Sequence, residues 1–197
     1  MKFINSFLLE NRKLFISIFV IWICASVSGV IFGSKLNNET YPDVFGMVTD
    51  SFADSPTVAT MILNQADYLI KMFLIVIISS ACVFFSPFIY FAAVLDAFSS
   101  GLGAALIVRT YSLKGSLMSF FIHVLPLSVS LPLYFVMFVS GLKFSLSSRS
   151  TIMHQRVFER RKQWASYIWF QLTVCICIFT VDVIKAFFCK GIIVFLN

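Results

Sequence analysis

Two long apolar segments joined by a short polar connector constrain the fold more than any other part of this sequence. They cover residues 87–108 and 116–146, and the connector between them reads RTYSLKG. Each is at least as long as the roughly 20 apolar residues that cross a hydrocarbon core about 30 Å thick. Because a helix satisfies its own backbone hydrogen bonds in lipid, we predict two membrane-spanning helices here.

The composition extends this prediction to the whole chain. Hydrophobic residues make up 59% and charged residues 12% of the 197 residues, whereas soluble domains average about 25% charged residues. At roughly 20 to 25 residues per crossing, the chain has room for five helices and one modest loop. The sequence therefore predicts an all-α, polytopic membrane helix bundle that forms a single domain over residues 1–197.

The predicted crossings are separated by one long polar loop and one basic loop. The crossings are residues 14–33, 68–85, 87–108, 116–146 and 165–188. Residues 34–67 form the predicted outer loop, and residues 147–164 form the basic loop. Within the outer loop, Ser55 and Pro56 are typical of an N-cap and a first helical position. We therefore expect the second helix to begin before it enters the membrane.

Lysine and arginine set the predicted orientation. The amino-terminal segment and the loop 147–164 are basic, whereas the outer loop is acidic. Since basic loops stay in the cytoplasm, we predict that the amino terminus lies inside and the carboxyl terminus outside, with Arg109 and Lys114 on the outer side against the rule. The basic loop either binds anionic lipid head groups or only determines topology. Its cations are Arg149, Arg156, Arg160, Arg161 and Lys162.

Small residues recur every fourth position in two of the predicted crossings. The rows are Ala25, Gly29 and Gly33 in the first crossing, and Ala97, Gly101 and Ala105 in the third. Such rows let two helices approach until their backbones are in van der Waals contact, which drives helix association in lipid. We expect the two rows to pack within one bundle, and a homo-oligomer built on them is the alternative.

One acid, Asp96, lies near the middle of an apolar segment. An ionised carboxylate there costs several kcal/mol and needs a partner or a proton. At 1.5 Å per residue, Asp96 lies about 13 Å and His123 about 17 Å from the cytoplasmic side, so the two side chains can meet. We expect a buried polar contact that fixes helix register. A proton or ion relay is the alternative, although a relay normally needs more such groups.

Two further polar features lie in the last two crossings. Pro126 and Pro132 remove backbone donors and are predicted to kink or break the fourth helix. Broken helices line sites in transporters, but kinked helices also occur in bundles that transport nothing. Asp182 and Lys185, spaced i, i+3 near the outer end of the last crossing, are explained by a local ion pair.

No enzymatic motif is present in the sequence. No serine or cysteine has a histidine and an acid at a recognisable spacing, no glycine-rich phosphate loop follows a strand, and no HExxH occurs. The five cysteines lie in or beside apolar segments without the neighbours of a metal site. We therefore predict no enzyme, no metal, no cofactor and no nucleic-acid partner, and we expect membrane lipids and proteins as partners.

The stretch from residue 97 to residue 145 resembles the stage II sporulation protein M family. The resemblance rests on AFSSGLGAALIVRTYSLKGSL, then His-Val-Leu-Pro ending at Pro126, then Leu-Pro ending at Pro132, then SGLKFS. The plan of a cytoplasmic start, a long first outer loop, five crossings and a basic loop before the last also agrees. Asp96-Ala97 and Leu127-Ser128 depart from the pattern of many members, which makes this chain a divergent one.

The resemblance implies a non-enzymatic scaffold in the cytoplasmic membrane of a spore-forming bacterium. Such a scaffold recruits cell-wall hydrolases, which degrade peptidoglycan, to the septal membrane so that the mother cell can engulf the forespore. The alternative from the residues themselves is a small transporter or permease subunit that uses Asp96, His123 and the broken fourth helix.

Overall fold

The computed structural model of the chain describes residues 7, 9–37, 39–45, 57–151 and 157–196. The side chains at 122–123, 125, 148–151, 157–160, 189 and 191–196 lie outside this description. The long helices are α1 (Arg12–Lys35), α2 (Val58–Ser80), α3 (Ser86–Ser119), α4 (Leu125–Thr151) and α5 (Val157–Leu196). A 3₁₀ turn at Val83–Phe85 precedes α3, and a π-helical turn at Phe120–Val124 precedes α4.

All five helices contain stretches long and apolar enough to cross a membrane. Large apolar side chains on the outside of the bundle are exposed, among them Phe84 (87%) and Trp169 (69%), as expected for a surface that faces lipid. The predicted all-α, multi-pass membrane bundle is therefore confirmed, and no β-strand occurs among the residues that the structure describes. The assignment of the amino terminus to the inside stays a prediction.

Helix α4 is the centre of the bundle. In its membrane-spanning part 56% of the residues are buried, against 17–33% in the other four helices. Met137 and Phe138 of α4 are fully buried. The same core includes Ile18 of α1, Ile89 of α3 and Ile178 of α5. A helix enclosed on most sides has little contact with lipid, so its side chains decide how the other helices are arranged.

The second helix begins two residues later than predicted. Thr57, in an extended conformation, is its N-cap, and its side chain accepts a hydrogen bond from the Thr60 backbone N–H at 3.3 Å. Ser55 and Pro56, the predicted start, lie outside the described residues. The described helix α2 thus starts ten residues before the predicted crossing at residue 68.

The polar connector is a tight helical turn rather than an extended loop. Helical structure continues through it from α3, and only Ser112 has a non-helical backbone, with φ 52° and ψ −124°. At Gly115, an added Cβ would lie 2.3 Å from the Ile107 carbonyl oxygen. The turn therefore requires glycine at this position, where the chain folds back against the preceding helix.

The irregularity predicted for the fourth crossing lies mainly before its first proline. Residues Phe120–Val124 are π-helical. Pro126 follows directly on this turn, where its missing N–H leaves a carbonyl group of the π-helical turn without its usual helical donor. The helix then continues through Pro132. The π-helical turn thus separates the short helical segment that ends at Ser119 from the long central helix α4.

Candidate functional site

The two small-residue rows lie face to face between α1 and α3. An added Cβ at Gly101 would lie 2.2 Å from the Ser26 carbonyl oxygen, and one at Gly29 would lie 2.3 Å from the Phe98 carbonyl oxygen. Contacts this short mean that the two backbones touch, which only glycine permits. The other members of the rows are also buried: Ala25, Gly33, Ala97 and Ala105. Since each row covers the other within one chain, a homo-oligomer would need a different surface.

Beside this seam, Asp96 accepts two hydrogen bonds from neighbouring helices. The Tyr68 hydroxyl of α2 donates to Oδ1 at 2.7 Å, and the Trp22 indole N–H of α1 donates to Oδ2 at 3.3 Å. Each carboxylate oxygen therefore has its own donor. Sequence analysis did not find these donors, because polar aromatic residues are common in membrane helices and their spacing does not reveal which helix they face.

The predicted partner of Asp96, His123, lies in the π-helical turn that precedes α4. Its side chain lies outside the description, so contact between the two residues stays a prediction. Asp96 does not depend on it for a partner, since both of its oxygens are already bonded.

A polar cavity of about 240 Å³ opens beside Asp96. Its lining comes from four helices and, apart from one leucine, consists of polar or charged side chains. They are Gln65 and Tyr68 of α2, Asp96, Ser99 and Ser100 of α3, Leu127, Ser130 and Tyr134 of α4, and Asp182 and Lys185 of α5. Gln65 follows the start of α2 by seven residues, about 10 Å of helix. The cavity therefore lies in the half of the bundle next to the outer loop.

Asp182 and Lys185 line the cavity without forming the predicted local ion pair. Gln65 lines the cavity with Asp182, whose Oδ2 is buried and has no hydrogen-bond partner among the described residues. In the described part of the chain, the ion pairs within 4.0 Å join Lys71 to Asp67 and Lys143 to Glu10. Lys185 lines the same cavity and lies farther than 4.0 Å from both of its carboxylates.

The proline-bearing part of α4 contributes to the cavity wall. Leu127 and Ser130 lie between Pro126 and Pro132 and both line the cavity. The Ser130 hydroxyl donates to the Pro126 carbonyl oxygen at 3.2 Å. The part of α4 between the two prolines thus forms one wall of the cavity, and a functional role for the break stays a prediction.

A second buried polar network joins three helices away from the cavity. The Tyr167 and Ser80 hydroxyl oxygens are 2.6 Å apart. The Gln171 amide nitrogen lies 2.8 Å from the Ser140 hydroxyl and 2.9 Å from the Tyr167 hydroxyl. Sequence analysis missed this network, although a glutamine inside an apolar segment is a signal that could have found it.

The outer loop is anchored to the end of α3. The Arg109 Nη1 group donates to the Ser34 carbonyl oxygen at 2.5 Å and also to the carbonyl oxygen of Leu36. Leu36, Phe45 and Leu106 form a small buried apolar cluster beneath the loop. Arg109, which opposes the charge rule in the predicted orientation, thus has a structural role on that side.

The basic loop is only partly described. Arg161 and Lys162 are exposed on α5. The side chains of Arg149 and Arg160, and all of Arg156, lie outside the described residues. Lipid binding by this loop and a role in topology alone therefore both remain predictions.

Comparisons with known proteins do not assign the chain to a family. No protein-family model, curated protein or solved structure matches it. The resemblance to the stage II sporulation protein M family therefore stays a prediction from the residues quoted above. The function has to be argued from the fold and from the geometry of the loop and the cavity.

Proposed function

We propose that the chain is a non-enzymatic scaffold in the bacterial cytoplasmic membrane that presents its outer loop to peptidoglycan-degrading partner proteins. The observation that carries this proposal is the anchored loop. Arg109 donates to the Ser34 carbonyl group in the last turn of α1 and to the Leu36 carbonyl group just after it, and Leu36 and Phe45 pack against Leu106 of α3. The described start of the loop, residues 36–37 and 39–45, is thus held against the bundle and offers a partner an ordered surface.

Preorganisation matters because association has to compensate for the ordering of loops and side chains at the interface. A loop that is tied to a helix end before binding loses less freedom than a free one. The bundle beneath it supports the same role, since the α1 and α3 backbones touch at Gly29 and Gly101 and form a rigid base. The resemblance to the sporulation family supplies the partner class, namely cell-wall hydrolases at the septal membrane during engulfment.

Affinity purification of the full-length tagged chain from host membranes in mild detergent tests the proposal. Cells are taken early in sporulation, or at stationary phase if the host forms no spores. We expect cell-wall hydrolases to co-purify with the wild type. In Arg109→Gln we expect recovery to fall about fivefold, which corresponds to roughly 1 kcal/mol of lost docking free energy.

Lys35→Gln is the matched control, because Lys35 is an exposed cation at the same end of the bundle. Its recovery of hydrolases should equal that of the wild type. If the wild-type chain comes out alone or with an ATPase, or if Arg109→Gln recovers as much hydrolase as the wild type, the scaffold proposal is wrong.

A small transporter or permease subunit is the second candidate, and the polar cavity around Asp96 favours it. The two candidate functions predict opposite results for two variants. A scaffold should lose activity when residues 39–54 are deleted and keep it in Asp96→Asn. In a flux assay on the same two variants, a transporter should lose activity in Asp96→Asn and keep it when residues 39–54 are deleted.

A further inference from the structure

The Asp182 carboxylate is the group in the cavity whose bonding is incomplete. Its side chain is buried, with 5% of its surface exposed. Gln65 lines the cavity beside it, and Oδ2 has no hydrogen-bond partner among the described residues. A buried polar atom that lacks a partner is costly, and acids within membranes are almost always paired. Oδ2 therefore calls for a partner beyond the described residues.

The other charged groups of the cavity do not supply that partner. The Asp96 oxygens are occupied by Tyr68 and Trp22. The Lys185 ammonium group lines the cavity, yet its distance from either carboxylate exceeds the 4.0 Å of the ion pairs found in the described part of the chain. It influences both acids without bonding Oδ2.

The charge balance selects a cation of a single charge. When both carboxyl groups and the lysine are ionised, their charges sum to −1, and a monovalent cation makes the sum zero. A divalent cation would leave one positive charge in a medium of low dielectric constant, where an unbalanced charge is costly. The volume of about 240 Å³ exceeds what one small ion needs, so the ion can retain water molecules of roughly 30 Å³ each.

The polar groups that line the cavity include those that hard cations prefer as ligands. The cavity wall carries hydroxyl groups of Ser99, Ser100 and Ser130 and the side-chain amide of Gln65. Oxygen ligands suit hard cations, whereas transition metals favour imidazole and thiolate. Among the described residues, no group of three or more histidine, cysteine, aspartate or glutamate side chains is placed to hold a metal ion.

We infer that the cavity is a binding site for one monovalent metal cation of the sodium or potassium class, held chiefly by Oδ2 of Asp182. An ion there would bridge α5 to Gln65 of α2 and to the serines of α3 and α4. Because the ion would bind the folded bundle and not the unfolded chain, its binding would raise stability. This site goes beyond the scaffold proposal, and purified protein tests it without any partner.

The test is thermal unfolding of the purified full-length chain in sodium, potassium and N-methyl-D-glucamine chloride at equal ionic strength. At saturation we expect sodium or potassium to raise the Tm by about 5 °C above its value in N-methyl-D-glucamine chloride. Radiolabelled sodium, with competition by unlabelled sodium or potassium, gives a direct measure of binding.

Asp182→Asn should abolish the cation-dependent rise in Tm. Asp67→Asn is the matched control, because Asp67 is an exposed acid of α2 that pairs with Lys71. In this variant sodium or potassium should still raise the Tm by the full amount, whether or not its Tm in the organic cation differs from that of the wild type. If Asp182→Asn does not fold, Ser130→Ala should still weaken sodium binding by about threefold, a loss of under 1 kcal/mol.

Three results would overturn the inference. The first is an equal Tm in all three chlorides, together with no bound radiolabelled sodium. The second is a cation-dependent rise that persists in Asp182→Asn. The third is a Tm that responds to pH but not to the metal cation, which would mean that a proton alone completes the Asp182 carboxyl group.

Discussion

Helix α3 faces two regions of opposite character, a seam of bare backbone and a polar cavity. Ala97 and Gly101 face α1, where nothing larger than a methyl group separates the helices. Asp96, Ser99 and Ser100, in the same two turns, face the cavity. In lipid, helices associate through close packing or through hydrogen bonds between polar groups. This helix keeps the two on different faces, so that packing can hold the bundle while polar groups remain available for binding.

The largest expected effect comes from filling the seam. Gly101→Ala places a Cβ 2.2 Å from the Ser26 carbonyl oxygen. Neither backbone can yield without separating the helices, so we expect a loss of about 3 kcal/mol or more. Thermal unfolding in detergent and the yield of folded protein measure it.

Gly103→Ala is the control for this change, because Gly103 lies about 200° around the helix from Gly101. It should leave stability unchanged or raise it slightly, since alanine favours helix over glycine by roughly 1 kcal/mol. If both substitutions behaved alike, backbone contact at the seam would not be what holds α1 to α3.

A smaller loss is expected when the cavity loses a hydrogen bond. Tyr68→Phe removes the donor to Oδ1 of Asp96 without changing the shape of the side chain. Because the carboxylate oxygen would be left without this donor, we expect a loss of about 2 kcal/mol in unfolding free energy. Tyr41→Phe, at an exposed tyrosine in the outer loop, should lie within experimental error of the wild type. An equal loss in both variants would refute the role given to Tyr68.

The smallest effect should come from an ion pair outside both regions. Glu10 accepts from the Lys143 ammonium group at 3.2 Å, and their side chains are 70% and 44% exposed. Such pairs contribute little because water and salt screen them, so Glu10→Gln should change stability by about 0.5 kcal/mol or less. A larger loss, persisting in high salt, would mean that this pair is shielded from water.

The seam could be predicted from the sequence, but the cavity could not. The small-residue rows repeat within single helices, so periodicity reveals both of them. Asp96 was identified because an acid in an apolar segment is rare. Its donors Tyr68 and Trp22 lie on two other helices, and Asp182 on a third, so finding them requires knowing how the helices are arranged.

Helix limits were predicted less well than helix number. Hydropathy marks where a helix leaves lipid, whereas a helix ends where its backbone hydrogen bonds end. Helical structure therefore continues from α3 into the polar connector as far as Ser112 and beyond. The start of α2 outside its apolar stretch was predicted from Ser55 and Pro56, and it lies two residues later, at Val58. The kink at Ser112 depends on one backbone conformation that composition does not reveal.

The most direct test of this account compares water access to the two faces of α3. Single cysteines replace Ser100 in the cavity and Ala97 in the seam, in a chain whose five native cysteines have been substituted. Both variants are first shown to be folded at the temperature of labelling and are then treated with a small, charged thiol reagent. We predict that Ser100→Cys is labelled and Ala97→Cys is not. Equal labelling of the two, or labelling of Ala97→Cys alone, would contradict the division of α3 into a dry seam and an open cavity.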